Sequence, residues 1–125
     1  MSDHAKISVV DDDEAVRDAL GSLLSALGYR VQTFESATAF IEDEGIADTA
    51  CLITDVQMPG MTGLELLEHL SASGSHIPVI VVSAHGQALS RARARRSGAV
   101  AWLEKPVRQE RLVESIDYAL SGAGH

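Results

Sequence analysis

Ile77-Pro78-Val79-Ile80-Val81-Val82 decides the fold. Five of these six residues are β-branched, and the run shows no alternation of polar and apolar side chains. Both faces of the extended segment must therefore be buried, as in a central strand of a parallel sheet covered by helices above and below. Pro78 lies near the start, where a missing N–H is tolerated.

Four further runs resemble it in length: Lys6–Val10, Arg30–Phe34, Ala50–Thr54 and Ala99–Leu103. Helical stretches lie between and after them. Glu14–Leu27 sets Val16, Leu20, Leu23, Leu24 and Leu27 on one stripe at three-to-four spacing, and Gly28 stops it. Ser36–Glu44 is shorter, with Ala39, Phe40 and Ile41 as inward candidates. Thr62–Leu70 buries Leu64, Leu66 and Leu67, and Arg108–Leu120 buries Leu112, Val113, Ile116 and Leu120. The expected fold is a single doubly wound α/β domain, (βα)5, with a five-stranded parallel sheet. It would span residues 1–125, with a core over about 5–121 and a frayed tail at 122–125.

Composition excludes several classes. A chain of 125 residues fits one domain and can bury about two-thirds of its unfolded surface, so it needs no staples. The one cysteine, Cys51, cannot form an internal disulfide and reads as a small buried residue. No apolar run approaches the roughly 20 residues of a membrane helix. The start Met1-Ser2-Asp3-His4 lacks the features of a secretion signal, which makes the cytoplasm the expected compartment. A net charge of -8 opposes direct nucleic-acid binding by this chain and suits carboxylates gathered around a divalent cation.

In an open α/β sheet the functional crevice lies beyond the carboxyl ends of the strands. After the first strand stands Asp11-Asp12-Asp13, after the third Asp55, after the fourth Ser83, and after the fifth Lys105-Pro106. A strand order of 2-1-3-4-5, by analogy with flavodoxin-like folds, would make the first and third strands neighbours. Their carboxylates would then converge and repel. A hard cation, Mg²⁺ or Mn²⁺, relieves that repulsion with oxygen ligands. The expected set is Asp12 and Asp55 directly, Asp11 directly or through water, and the backbone carbonyl of Gln57. Asp13 is the better candidate for capping the first helix. An ionised Asp55 could serve as nucleophile in phosphoryl transfer, with Lys105 supplying positive charge and the Ser83 hydroxyl a hydrogen bond.

Val9-Val10-Asp11-Asp12-Asp13, the stretch Ile53 to Gly63, Val82-Ser83-Ala84-His85-Gly86 and Glu104-Lys105-Pro106 together resemble a response-regulator receiver domain of two-component signalling. Gly98-Ala99-Val100 through Pro106 is similar to the nitrogen-fixation regulator branch. The resemblance implies that Asp55 accepts a phosphoryl group from a sensor histidine kinase, a phosphotransfer protein or acetyl phosphate. It implies a switch made of Ser83, Trp102, Lys105 and Pro106, with a cis Lys105–Pro106 bond. It also implies a face of fourth helix, fifth strand and fifth helix that controls a partner or the chain itself; a homodimer through the Arg91–Arg96 helix and the acidic residues Glu110, Glu114 and Asp117 is a separate expectation from the charges. Such a domain assists its own phosphorylation and dephosphorylation without being a turnover enzyme. The domain could stand alone or belong to a longer regulator.

Two places depart from the family pattern. Gln87–Ser97 crowds Arg91, Arg93, Arg95 and Arg96 around Leu89, its one sizeable apolar side chain. That helix is expected to be loosely packed, shortened or displaced unless a partner's carboxylates cover it, the alternative being a solvated cationic face. Trp102 replaces the usual Phe or Tyr, so an inward and a partly exposed indole are both open. His85 near Ser83 could influence the phosphoryl group or simply face solvent, and His69 and His76 have no evident partners in the sequence. A Mg²⁺-dependent phosphatase would want a second acid at Gln57. A nucleotide-binding domain would want a glycine-rich loop after the first strand. A receiver-like module without phosphorylation is the third rival.

Overall fold

The computed structural model describes residues 5–43, 46, 48–84 and 88–121. Five strands alternate with five helices: β1 (Lys6–Val10), α1 (Glu14–Ala26), β2 (Arg30–Phe34), α2 (Ala37–Glu42), β3 (Cys51–Asp55), α3 (Gly63–Ala72), β4 (Val79–Ser83), α4 (Ala88–Arg96), β5 (Ala99–Glu104) and α5 (Gln109–Leu120). All strand pairings are parallel and the order is β2-β1-β3-β4-β5. The parallel (βα)5 arrangement is the one expected from the alternation, and the strand order is the flavodoxin-like one expected by analogy.

Strand alternation splits the core into two layers. Val10, Leu52, Val79 and Val81 pack with Phe34, Phe40, Leu64, Leu66, Leu67 and Ala94 on the α2–α3–α4 side. Ile7, Val9, Ile53, Ile80 and Val82 pack with Leu24, Leu112 and Ile116 on the α1–α5 side, and Cys51 is buried there. Phe34 and Phe40 meet edge to face at 5.2 Å, which fixes the short α2 against the sheet.

Some boundaries differ from the sequence reading. β4 begins at Val79 and runs to Ser83, because Pro78 has no N–H to enter the ladder and only its carbonyl accepts, from Leu52. β3 is shifted by one, so Asp55 is its last residue. β5 extends through Glu104. Leu27 is a correction: it forms the C-cap of α1 and is 40% exposed, where the periodicity had placed it inward. Gly28, at φ +98, turns the chain there and ends the helical stripe at Leu24. Val113 and Leu120 are only half-buried, and Ala119 is buried in the α1–α5 layer. Glu44, Gln87, the Leu89 side chain and the tail 122–125 lie outside the described residues.

α4 forms across the arginine-rich segment, which is therefore neither lost nor cut short within Ala88–Arg96. The carboxylate that meets it comes from the same chain: Glu68 on α3 takes a bidentate bond from Arg93, at 2.6 and 2.8 Å. Among the described side chains of α4, Ala94 is the buried one, and a cavity of about 140 Å³ remains between α4 and β5, lined by Arg91, Ala94, Arg95, Ala99, Val100, Ala101 and Trp102. An alanine contact and a void give little dispersion or burial to hold a helix. Amide exchange over Ala88–Arg96 is therefore expected to be faster than over α3 and α5 in the native protein. Protection equal to α3 would contradict this.

Candidate functional site

Register brings the site together. Val10 pairs with Thr54, so the next residues, Asp11 and Asp55, stand side by side at the rim of β1 and β3. Asp55 pairs with Val82 and Ser83 with Glu104, which places Ser83 and Lys105 at the same rim. The Lys105 N–H donates to the Ser83 carbonyl at 2.8 Å. Ser83 itself is buried.

One carboxylate oxygen from each of Asp11, Asp12 and Asp55 lies within 4.8 Å of the others. Asp11 and Asp55 are 2% and 7% exposed, whereas Asp12 is open to solvent. Lys105 Nζ sits 3.3 Å from both Asp11 Oδ2 and Asp55 Oδ2. Asp11 is further fixed by the Asp13 N–H, which donates to its Oδ1 at 2.9 Å. Asp13 caps α1, accepting from the N–H groups of Ala15 and Val16. The division expected from the sequence, with Asp11 and Asp12 facing the crevice and Asp13 capping, holds in the structure.

The charges do not balance. Three ionised carboxylates outnumber one ammonium, and each carboxylate pair at such separations repels by on the order of 3 kcal/mol at an effective dielectric of about 20. Burial pushes the Asp55 carboxyl above its usual range, and neighbouring Asp11 adds to this; Lys105 and the Gln57 backbone N–H pull the other way without cancelling it. For Lys105, burial opposes the charge, but Asp55 and Asp11 outweigh it and hold the ammonium above its ordinary value. The donor set is all oxygen and the cluster has excess negative charge, which fits a hard divalent cation.

Asp55 therefore weighs on the fold when ionised. Its folded pKa is raised, so the folded state takes up a proton first as pH falls. The cost of the buried charge is full above the folded pKa and vanishes below the unfolded value of about 3.9. In a chelating buffer, Asp55→Asn is expected to melt higher than the parent chain at pH 7–8, the gap closing toward pH 4. A gap independent of pH, or a lower melting temperature at pH 7, would count against this electrostatic account.

The backbone after Asp55 is held by a close approach. Gly63 begins α3 and its N–H donates to the Val56 carbonyl at 2.9 Å. A Cβ there would overlap the Asp55 carbonyl oxygen and come within 2.9 Å of the Asp55 carbonyl carbon. Thr62 and Glu65 form a reciprocal capping box that sets the helix start. Gly60, at φ +76, supplies the left-handed turn after Met58-Pro59. Gln57 sits exposed in this loop.

The remaining switch candidates lie on β5 and just beyond it. The Lys105–Pro106 bond is cis. Trp102 is half-buried, packs against the α2–α3–α4 layer, and is thus turned inward. Its Nε1–H is shielded from solvent and finds no acceptor among the described residues. Such a donor costs about 1–3 kcal/mol. His69 and His76 are exposed, and His85 and Gly86 lie outside the described residues.

Sequence reasoning missed Arg17, whose Nη1 donates to the Asp11 carbonyl at 2.7 Å and pins the turn that carries both carboxylates. Its position in the second turn of α1, six residues after Asp11, was the available signal. The Glu68–Arg93 pair was also missed, since nothing in the sequence aligns α3 with α4 at that position.

The family model for the response regulator receiver domain matches residues 7–117. The chain belongs to the response-regulator receiver family. This receiver is 45% identical over 114 residues to the response regulator protein TmoT of Ectopseudomonas mendocina, covering 91% of this chain and 52% of that protein. It is 39% identical over 120 residues to the transcriptional regulatory protein FixJ of Azorhizobium caulinodans, covering 96% of this chain and 57% of that one. The receiver thus spans about half the length of the curated relatives it matches. The crystal structure of FixJ-N superposes with a TM-score of 0.86 at 35% identity, covering 98% of this chain and 97% of that one. Chemotaxis protein CheY4 of Vibrio cholerae gives 0.86 at 26% identity, with 94% and 99% covered. The likeness to FixJ supports the nitrogen-fixation regulator flavour of the sequence. Receivers of this family are signalling domains of two-component systems. No helix among the described residues is long and apolar enough to cross a membrane.

Proposed function

We propose that this receiver is a phosphorylation-dependent switch in which Asp55 takes the phosphoryl group. The observation that carries the reading is the buried Asp55 carboxylate, 3.3 Å from Lys105 and clustered with Asp11 and Asp12. In the forward step an Asp55 oxygen attacks phosphorus, the phosphorus–nitrogen bond of a kinase or phosphotransfer-protein phosphohistidine breaks, and an acyl phosphate forms. Acetyl phosphate would serve in the same way, with its own phosphorus–oxygen bond breaking. A bound Mg²⁺ or Mn²⁺ would neutralise the carboxylates and the phosphoryl oxygens, held by Asp11, Asp12, Asp55 and the Gln57 carbonyl. Lys105 pairs with a phosphoryl oxygen and the Ser83 hydroxyl donates to another.

Gln57 favours a switch over a phosphatase. It stands where a general acid would be needed and has no proton to give at neutral pH, which lets the acyl phosphate persist. Ser83, Trp102, Lys105 and Pro106 then pass the change to the α4–β5–α5 face, biasing one of two states. The output is a partner protein or a second copy of this chain, with no direct nucleic-acid contact by residues 1–125, in the cytoplasm. The whole chain is read as one receiver domain with its core over about 5–121, without turnover of a separate substrate.

The test is intact-mass measurement after incubation with acetyl phosphate, with Mg²⁺ and with chelator. One phosphoryl group gained with Mg²⁺ and none with chelator is the expected result. No gain from acetyl phosphate or from a phosphohistidine donor would leave a receiver fold without the switch.

A further inference from the structure

Half of the chain's ten basic residues lie on α4 or at the start of α5 and have no ion-pair partner among the described residues. Lys6 pairs with Asp48, Arg17 with the Asp11 carbonyl, Arg93 with Glu68, and Lys105 with Asp11 and Asp55. Arg30 is also engaged. The other five, Arg91, Arg95, Arg96, Arg108 and Arg111, make no ion pair among the described residues and are exposed. All five lie on α4 or at the start of α5. A chain of net charge -8 thus carries a concentrated positive patch.

Three of the five, Arg91, Arg108 and Arg111, line a groove of about 340 Å³. Trp102, Leu103, Pro106 and Val107 contribute its walls, Arg91, Arg108 and Arg111 stand around it, and Glu104 is the one carboxylate lining it. A mainly polar groove that sets Trp102, Pro106 and Val107 among three guanidinium groups suits a ligand with an apolar side chain flanked by anions, since planar guanidinium forks match carboxylates. We propose that this groove docks an acidic segment of a partner protein, seating an apolar side chain on Trp102 between carboxylates paired to Arg91, Arg108 and Arg111. The proposal rests on the reading of the α4–β5–α5 face as the output surface and adds the chemistry of what binds there. The Trp102 N–H, which has no acceptor among the described residues, gains one from a carboxylate or carbonyl of the segment once the indole turns toward the groove.

A short peptide is favoured over a nucleic acid because the chain's eighteen acidic residues repel a long uniform polyanion, while a peptide brings few charges and an apolar group. A second copy of this chain would bring its own net charge of -8 against this chain's -8, a repulsion that a short peptide with few charges avoids.

The experiment uses a fluorescein-labelled synthetic peptide of repeated Glu-Glu-Leu-Phe units and its Gln-for-Glu counterpart, titrated with the full chain at low and moderate salt. Anisotropy and the fluorescence of Trp102 report binding, with and without beryllofluoride and Mg²⁺. The acidic peptide is expected to bind at least tenfold more tightly than its neutral counterpart and to weaken with salt. The combined Arg91→Ser, Arg108→Ser and Arg111→Ser variant should lose at least tenfold in affinity, with its melting temperature and Asp55 phosphorylation unchanged. Arg108→Glu alone should lose a comparable amount. Equal binding of both peptides, no binding in either state, or binding indifferent to these substitutions would overturn the proposal. So would tighter binding of random-sequence duplex DNA, or a dimer in sedimentation that the acidic peptide fails to dissociate. Absence of any beryllofluoride effect or phosphoryl adduct, with peptide binding intact, would instead remove the Asp55 reading and leave the groove assignment standing.

Discussion

Lys105→Ala is expected to slow phosphorylation by acetyl phosphate by about 10²- to 10³-fold, the usual loss when a single preorganised donor to developing charge is removed. Lys105 Nζ lies 3.3 Å from Asp55 Oδ2, on the carboxylate assigned as nucleophile, so it is placed to meet the phosphoryl oxygens as charge develops. The same substitution should affect stability in a cation-dependent way. It leaves the buried Asp11 and Asp55 carboxylates without their ammonium, so the melting temperature should fall in chelator and recover in part when Mg²⁺ is added. The sign with pH follows from the raised Lys105 pKa. Its stabilisation is full below the unfolded value of about 10.4 and is lost as pH rises through the folded one. Stopped-time mass measurement of phosphoryl incorporation gives the rate, and thermal melts in both buffers give the stability. A rate within twofold of the parent chain would remove Lys105 from the chemistry.

Gly63→Ala should be the most damaging of the conservative changes. The added methyl overlaps the Asp55 carbonyl oxygen, and the neighbouring atoms are backbone, which cannot swing aside as a side chain would. Overpacking of this kind costs about 1–3 kcal/mol. The strain falls on the residue assigned as phosphoacceptor, so phosphorylation at saturating Mg²⁺ should also slow in the folded fraction. Denaturant melts and phosphorylation rates check the two parts separately. Unchanged stability would mean that α3 shifts freely, and the close approach would then have no bearing on the site.

Much of this site could be read before any coordinates. Parallel strands end at one rim, so Asp11, Asp12, Asp55 and Lys105 were recognisable as neighbours once their strands were placed. Asp13 could be separated from them because it directly precedes the first helical turn, where a cap's carboxylate accepts from the free N–H groups. What stayed hidden depended on choices made between distant elements. Leu27 fitted the helical period, yet the turn at Gly28 rotates it out toward solvent. The inward indole of Trp102 depends on Ala94 being small on the facing helix. Arg93 finds Glu68 only because α3 and α4 pack side by side. Arg17 reaches a main-chain carbonyl, a contact at which its place six residues after Asp11 only hints.

The central claim is where the phosphoryl group goes. Reductive trapping of the acyl phosphate after treatment with acetyl phosphate and Mg²⁺, followed by peptide fragmentation, locates it directly. The modification is predicted on Asp55 alone, with no adduct on the Asp55→Asn variant. A phosphoryl group found on Asp11, Asp12 or any other residue of the parent chain, or retained by the variant, would contradict the assignment.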